Sequence, residues 1–167
     1  MDEILVLGIG NRLLRDEGAG LHLLDYLERV HRGLPGVRYL DGGTLSFTLA
    51  PEIEDARGLI VLDAAEFKAA PGTVRTLEDT AFDAFLGQPR RSVHEVGLLD
   101  LMDIARLTGY LPQYRALVGV QPESFGWDSQ PSSAVARAIP AAAAEVLHLI
   151  ARWQEDMARL PALVAAA

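Results

Sequence analysis

The segment ILVLGIGNRLLRDEGAG, residues 4–20, has the order strand, loop, helix. Its first part, residues 4–7, lacks the polar alternation of a half-exposed strand, which predicts a strand buried on both faces, as in a parallel sheet covered by helices. Glycines then break the run, and a leucine-rich helical pattern follows. Because ligands bind outside the carboxyl edge of open α/β sheets, Asn11, Asp16 and Glu17 in this loop are candidate site residues.

Gly8 and Gly10 match the first two glycines of a dinucleotide-binding loop, but the pattern is incomplete. Leu13 stands at the position of the third glycine, and the carboxylates of Asp16 and Glu17 would repel a pyrophosphate. Acidic side chains at a loop rim suit a cation, a cationic peptide or a proton-transfer role. They are also common as helix-start charges favoured by the macrodipole, and this alternative stays open for Asp16.

The composition of the chain excludes several classes of protein. A length of 167 residues fits one domain that buries a full core. The net charge of −8 disfavours binding to nucleic acid or to an anionic membrane, since both need a basic surface. The chain has no cysteine, which excludes a thiol nucleophile, a thiolate metal site and a disulfide framework. The acidic start has no cleavable signal and no apolar run of about 18–20 residues is evident, so we expect a cytoplasmic protein without a membrane span.

Strand and helix patterns alternate along the rest of the chain. Residues 37–40 predict the second strand, and residues 59–62 predict the third, which is buried. Residues 114–121 predict the last strand, and residues 73–77 predict a short edge strand that could run antiparallel. The alternation predicts a single-domain α/β three-layer sandwich, in which a twisted, mostly parallel sheet of about five strands carries helices on both faces. We assign residues 1–157 to this domain and residues 158–167 to a frayed C-terminal tail.

Two features near the C-terminus lead to expectations about packing. Pro140 is expected to start a separate helix, since proline favours the first helical turn. Phe125 and Trp127, in the polar-aromatic loop before it, are expected to close an edge of the core rather than to form a binding platform.

Two more acidic residues follow predicted strands. Asp63 comes directly after residues 59–62, so we expect it at the carboxyl edge beside the first loop, unless it only caps the next turn. Asp41 follows the second strand and precedes Gly42 and Gly43. It is either an Asx-turn residue or an acidic group that, beside two exposed glycine amides, holds an extended peptide.

His94 lies in residues 88–97, which predict an irregular connection before a helix. Leu98 replaces the second histidine of H-E-x-x-H, which excludes the zincin type of metal site. No G-x-S-x-G elbow accompanies Ser92, which argues against a serine hydrolase. His94 therefore remains either a functional loop histidine or a structural one.

Glu17, Asp63 and His94 come from three separate segments that this fold could bring together. If the first and third strands are neighbours, Glu17 and Asp63 converge at the topological switch point and His94 closes over them. Two carboxylates and one imidazole form an O,O,N set suited to a borderline divalent metal.

Five motifs occur in order along the chain. They are G-I-G-N-x-L-x-x-D-E-G-x-G at residues 8–20, D-G-G-T at 41–44, V-L-D-A at 61–64, S-x-H-E-x-G at 92–97 and G-V-Q-P-E at 119–123. Together they resemble the nickel-iron hydrogenase maturation endopeptidases over nearly the whole chain. The resemblance implies a protease that removes the C-terminal extension of the hydrogenase large-subunit precursor after nickel insertion.

The resemblance also implies roles for individual residues. The enzyme implied is an aspartyl-type endopeptidase. The positions that contact the metal and carry out catalysis in this family correspond to Glu17, Asp63 and His94. The loop that helps to place the precursor's tail corresponds to Asp41, Gly42 and Gly43. The precursor would supply the nickel, so we expect no permanently bound cofactor, and the enzyme is expected to be a monomer. Asp16 is a candidate for holding the Glu17 loop.

Two other functions remain as alternatives. One is a non-proteolytic α/β module that binds a metal or a nucleotide. The other is a hydrogenase-specific chaperone that docks on the large subunit without cutting it. Only the protease changes the mass of the precursor.

Overall fold

A single five-stranded sheet forms the middle layer of the protein. The computed structural model describes residues 3–89 and 93–165, without the side chains of residues 93–96 and 160–165. The strands are β1 (Ile4–Gly8), β2 (Val37–Asp41), β3 (Gly58–Ala64), β4 (Val74–Glu78) and β5 (Tyr114–Val120). Their order is β2-β1-β3-β5-β4, and only β4 runs antiparallel to its neighbour. The predicted mostly parallel sheet, the adjacency of the first and third strands and the edge position of β4 are confirmed.

Within the described residues, five α-helices cover the two faces of the sheet. They are α1 (Ala19–Val30), α2 (Ala50–Glu54), α3 (Asp79–Leu86), α4 (Val93–Thr108) and α5 (Ser133–Ala165). Successive residues of β1 point to opposite faces, so that Ile4 and Val6 pack with α1 and α5. Leu5 and Leu7 pack with α2, α3 and α4. The two buried clusters, one on each side of the sheet, confirm the three-layer fold.

Helix α5 corrects the expectation that Pro140 starts a new helix. The helix begins at Ser133, where the Ser132 hydroxyl accepts a hydrogen bond from the Val135 N–H at 3.3 Å, and it continues through Pro140. A proline inside a helix removes one backbone hydrogen bond and costs about 3 kcal/mol. The buried face of α5 offsets this cost, since residues from Val135 to Met157 pack on the sheet.

Helix α5 also differs from the expectation about apolar runs. Its segment Ser133–Arg159 is long and apolar enough to cross a membrane by length and composition. In the fold, Val146, Leu149 and Trp153 on this segment are buried against the sheet, which is the position of a core helix. Helix α5 extends to Ala165, but the extent of a helix does not show how often its last turns open. The assignment of residues 158–167 to a frayed tail therefore stays a prediction.

The register of the sheet aligns the ends of four strands. Gly8, the last residue of β1, pairs with Asp41 at the end of β2 and with Leu62 in β3. Asp63 pairs with Gly119 in β5. The loops after β1, β2, β3 and β5 therefore leave the sheet at one edge, which we call the carboxyl edge.

Candidate functional site

The loop after β1, residues 9–18, folds back so that Glu17 lies beside the end of its own strand. Gly10 has a φ of +137°, and a Cβ on it would lie 2.1 Å from the Glu17 carbonyl oxygen. The Asn11 N–H donates a hydrogen bond to the same oxygen at 3.3 Å. Only glycine fits this close approach, and the partly buried Glu17 is thereby held at the carboxyl edge.

Asp63 lies at the same edge, on the neighbouring strand, as predicted. Its side chain is buried, with 6% of the residue exposed. The Ile9 N–H donates to the Leu62 carbonyl at 3.0 Å, which joins the first loop to the residue before Asp63. β3 continues through Asp63 to Ala64, and the role of the Asp63 carboxylate stays a prediction. The first loop and the end of β3 therefore bring Glu17 and Asp63 to adjoining segments.

His94 lies in a helix rather than in the predicted irregular connection. Helix α4 begins at Val93, so His94 is its second residue, while the side chain of His94 is outside the described residues. Ser92 followed by Glu95 has the S-x-x-E spacing of a capping box, a helix-start signal that the sequence carries. Among the side chains that the structure describes, no group of three His, Asp or Glu could hold a metal. The set of Glu17, Asp63 and His94 stays a prediction.

The loop at residues 41–43 is an Asx turn. The Gly43 N–H donates to Asp41 Oδ1 at 2.8 Å, and Arg12 Nη2 contacts Asp41 Oδ2 at 2.9 Å. The Gly42 N–H donates to the Gly8 carbonyl, also at 2.8 Å. Both glycine amides are thus used inside the protein, which corrects the idea that they are exposed for a peptide. A role of Asp41, Gly42 and Gly43 in placing substrate stays a prediction that does not use these amides.

Asp16 joins the first loop to a distant segment. Its carboxylate has no solvent exposure and accepts three backbone N–H hydrogen bonds, from Glu123 at 2.8 Å, Ser124 at 3.1 Å and Ser132 at 2.6 Å. Burial alone would raise the pKa of Asp16, but these hydrogen bonds outweigh it and the pKa lies below its ordinary value. Asp16 therefore anchors residues 122–132, which we call the strap.

A second link joins the first loop to the strap. The Arg15 N–H donates to the Asp128 carbonyl at 2.8 Å, and the Asp128 N–H donates to the Leu13 carbonyl at 3.1 Å. Phe125 and Trp127 on the strap are exposed, at 64% and 85%. The expectation that these two rings close the core edge is wrong, because the anchored strap holds them away from the core.

Gln121 is a buried residue whose role was not predicted from the sequence. Its side-chain oxygen accepts hydrogen bonds from the N–H groups of Phe67 at 2.8 Å and Ala69 at 3.3 Å. The Phe67 ring in turn packs over Gly119, where a Cβ would lie 2.6 Å from the ring. The G-V-Q-P-E motif at residues 119–123 was the available signal, and it holds the chain that follows Asp63.

A groove opens beside the 41–43 loop. It has a volume of about 380 Å³ and runs between the chain after β2 and helix α4. Its lining is mixed apolar and polar, and consists of Thr44, Leu45, Ser46, Phe47, Gly97, Asp100 and Leu101. Such a groove has the dimensions to hold a few residues of an extended peptide.

Comparison with known proteins gives consistent matches over most of the chain. The family model of hydrogenase maturation proteases, HycI, matches residues 21–149. The hydrogenase expression/formation protein HupD of Rhodobacter capsulatus is 40% identical over 155 residues, which are 91% of this chain and 73% of that protein. HupM of Azotobacter chroococcum mcd 1 is 42% identical over 126 residues, and the chain spans only 60% of its length.

A solved structure shares both the fold and the sequence pattern. The hydrogenase maturating endopeptidase HybD from E. coli superposes with a TM-score of 0.85 at 36% identity, covering 90% of this chain and 93% of that chain. The family match includes Asp41, Asp63 and His94, and it begins after Glu17.

Proposed function

Because the chain belongs to the hydrogenase maturation protease family, we propose that it removes the C-terminal extension of a nickel-iron hydrogenase large-subunit precursor after nickel has been inserted. The observation that carries the proposal is the placement of Glu17 and Asp63 on adjoining segments of the carboxyl edge. Two carboxylates at one edge suit both metal contact and the orientation of a water molecule.

In this proposal the nickel belongs to the substrate, and the enzyme has no permanently bound cofactor. Glu17, Asp63 and His94 contact the nickel carried by the precursor, so cleavage depends on the maturation state of the precursor. A carboxylate of the Glu17 and Asp63 pair orients water toward the scissile carbonyl. A thiol nucleophile is excluded because the chain has no cysteine.

The tail of the precursor would occupy the groove beside the 41–43 loop. The groove adjoins the carboxyl edge and combines apolar side chains, such as Leu45 and Leu101, with the carboxylate of Asp100. We infer that an extended tail in this groove would reach Glu17 and Asp63 with one end. We further infer that the enzyme works as a monomer in the cytoplasm, where the precursor is assembled.

Mass spectrometry of a nickel-loaded precursor tests the residue assignment. Glu17→Gln, Asp63→Asn and His94→Ala are each expected to slow removal of the extension at least about hundredfold, because each removes one of the nickel contacts. His148→Ala, an exposed histidine on α5, is the matched control and should process the precursor at the wild-type rate.

Thermal unfolding of each variant accompanies the assay, so that a loss of fold is distinguished from a loss of chemistry. Wild-type processing by Asp63→Asn would contradict the assignment. If even the wild-type protein leaves the precursor mass unchanged while binding it, the protein acts as a chaperone instead.

A further inference from the structure

Three large apolar side chains are exposed on the first loop and the strap. Leu13 is 58% exposed, Phe125 64% and Trp127 85%. We call these three residues the strap surface. Tryptophan and phenylalanine bury large areas in cores and interfaces, and leaving them in water forgoes that stabilisation.

The backbone that carries the strap surface is fixed. Asp16 accepts three N–H hydrogen bonds from the strap, and Leu14 pairs with Asp128 as an isolated β-bridge. Because Asp128 follows Trp127 directly, the bridge places Trp127 next to Leu13. The exposed positions are thus set by a buried carboxylate and by backbone pairing, not by a loose loop.

The strap is joined to the loop that carries Glu17. The Asp128 carbonyl accepts a hydrogen bond at 2.8 Å from Arg15, which is two residues from Glu17. Asp16, which anchors the strap, precedes Glu17 directly. A protein whose tail reaches Glu17 and Asp63 therefore brings its folded body over this part of the carboxyl edge.

We propose that the strap surface docks an apolar patch on the folded body of the large-subunit precursor. The proposal rests on the proposed function and extends it. The enzyme binds its substrate in two parts, with the tail in the groove and at the carboxylates, and the body on Leu13, Phe125 and Trp127. Exposed aromatic anchors of this kind are frequent hot spots in protein interfaces.

Steady-state processing of full-length, nickel-loaded precursor tests the docking surface. Trp127→Ala is expected to raise KM at least about tenfold and to leave kcat within about twofold, because the residue contributes binding and not chemistry. Leu13→Ala should raise KM by a smaller factor. Trp127→Phe keeps an aromatic ring and should restore most of the wild-type KM.

Leu107→Ala is the matched control. Leu107 is 88% exposed near the end of α4, where the Thr108 hydroxyl donates to Glu54, at the edge opposite the site. This variant should leave KM and kcat at wild-type values. Equal KM values for Trp127→Ala and Leu107→Ala would overturn the docking surface.

Two further outcomes distinguish the docking surface from a failure of the proposed function and from self-association. If wild-type protein does not process the precursor, the proposed function itself fails, whereas processing with an unchanged KM for Trp127→Ala rejects only the docking surface. Light scattering over a concentration series detects self-association. A wild-type dimer that becomes a monomer in Trp127→Ala would assign the surface to a second copy of this chain and overturn the proposal.

Discussion

At the scale of single residues, the site depends on positions that touch no substrate. Gly10 lets the first loop pass within contact of the Glu17 backbone, and Gln121 holds the chain after Asp63 by two backbone hydrogen bonds. Both act on carboxylate-bearing segments through the backbone. Small changes at these positions should therefore move Glu17 or Asp63 without altering either side chain.

Gly10→Ala tests the close approach in the first loop. A Cβ at Gly10 would overlap the Glu17 carbonyl oxygen, so we expect about 3 kcal/mol or more of destabilisation and at least about tenfold slower processing. Gly33→Ala is the control, since Gly33 has a φ of +76° and a Cβ added there would have no atom within 4 Å. Gly33→Ala should lower the free energy of unfolding by only about 1–2 kcal/mol, because alanine is disfavoured in a left-handed backbone conformation. Urea denaturation measures both, and equal losses would contradict the role of the contact.

The sequence allowed Asp63 to be placed but not Gln121 or Trp127. Asp63 ends an apolar run, and a run of this kind predicts both a buried strand and the edge at which it ends. The burial of Gln121 and the exposure of Trp127 depend on which distant segments meet. Asp16 lies more than a hundred residues from the strap that it anchors, and no local pattern encodes that contact.

At the scale of elements, the strap and the first loop behave as one unit. Asp16 supplies the anchor, and the pairing of Leu14 with Asp128 supplies the second link. A buried carboxylate that accepts three N–H groups stabilises the folded state most when it is ionised. The stability of this unit should therefore depend on pH.

Asp16→Asn tests the anchor. The asparagine side chain keeps one acceptor oxygen, but its NH2 group, a donor, faces backbone N–H groups that are also donors. We therefore expect the free energy of unfolding to fall by about 2–3 kcal/mol at pH 7. Because the folded-state pKa of Asp16 is below the unfolded value of about 3.9, its contribution is present above that pH and is lost as the pH falls through the folded-state pKa. The difference in the free energy of unfolding between wild type and Asp16→Asn should therefore shrink as the pH falls over that range.

Urea denaturation between about pH 7 and pH 2 measures the difference. Asp55→Asn, at an exposed position after α2, is the control and should cost less than about 0.5 kcal/mol. A difference between wild type and Asp16→Asn that stays constant down to the lowest pH would contradict the anchoring role of the ionised carboxylate.

The elements themselves were predictable to different degrees. The buried strands β1 and β3 have continuous apolar runs, and their positions followed from the sequence. The continuity of α5 through Pro140 did not follow, because tertiary packing overrides the local preference of proline. The start of α4 was missed although Ser92 and Glu95 have the spacing of a capping box.

At the scale of the whole molecule, the fold explains how residues far apart in sequence come to one edge of the sheet. Parallel strands in the order β2-β1-β3-β5 bring four loops to the same edge. The first loop contributes Glu17, β3 contributes Asp63, and the strap that follows β5 leaves the sheet at the same edge. A sheet edge built from several loops suits an enzyme that acts on a folded protein substrate.

The most direct test of the proposed function compares two forms of one precursor. Wild-type enzyme is mixed with nickel-loaded and with nickel-free large-subunit precursor, and intact-mass spectrometry follows the loss of the C-terminal extension. We predict that the loaded precursor loses its extension and that the nickel-free precursor keeps it. Equal cleavage of both forms, or an intact extension on the loaded form, would contradict nickel-dependent processing by this protein.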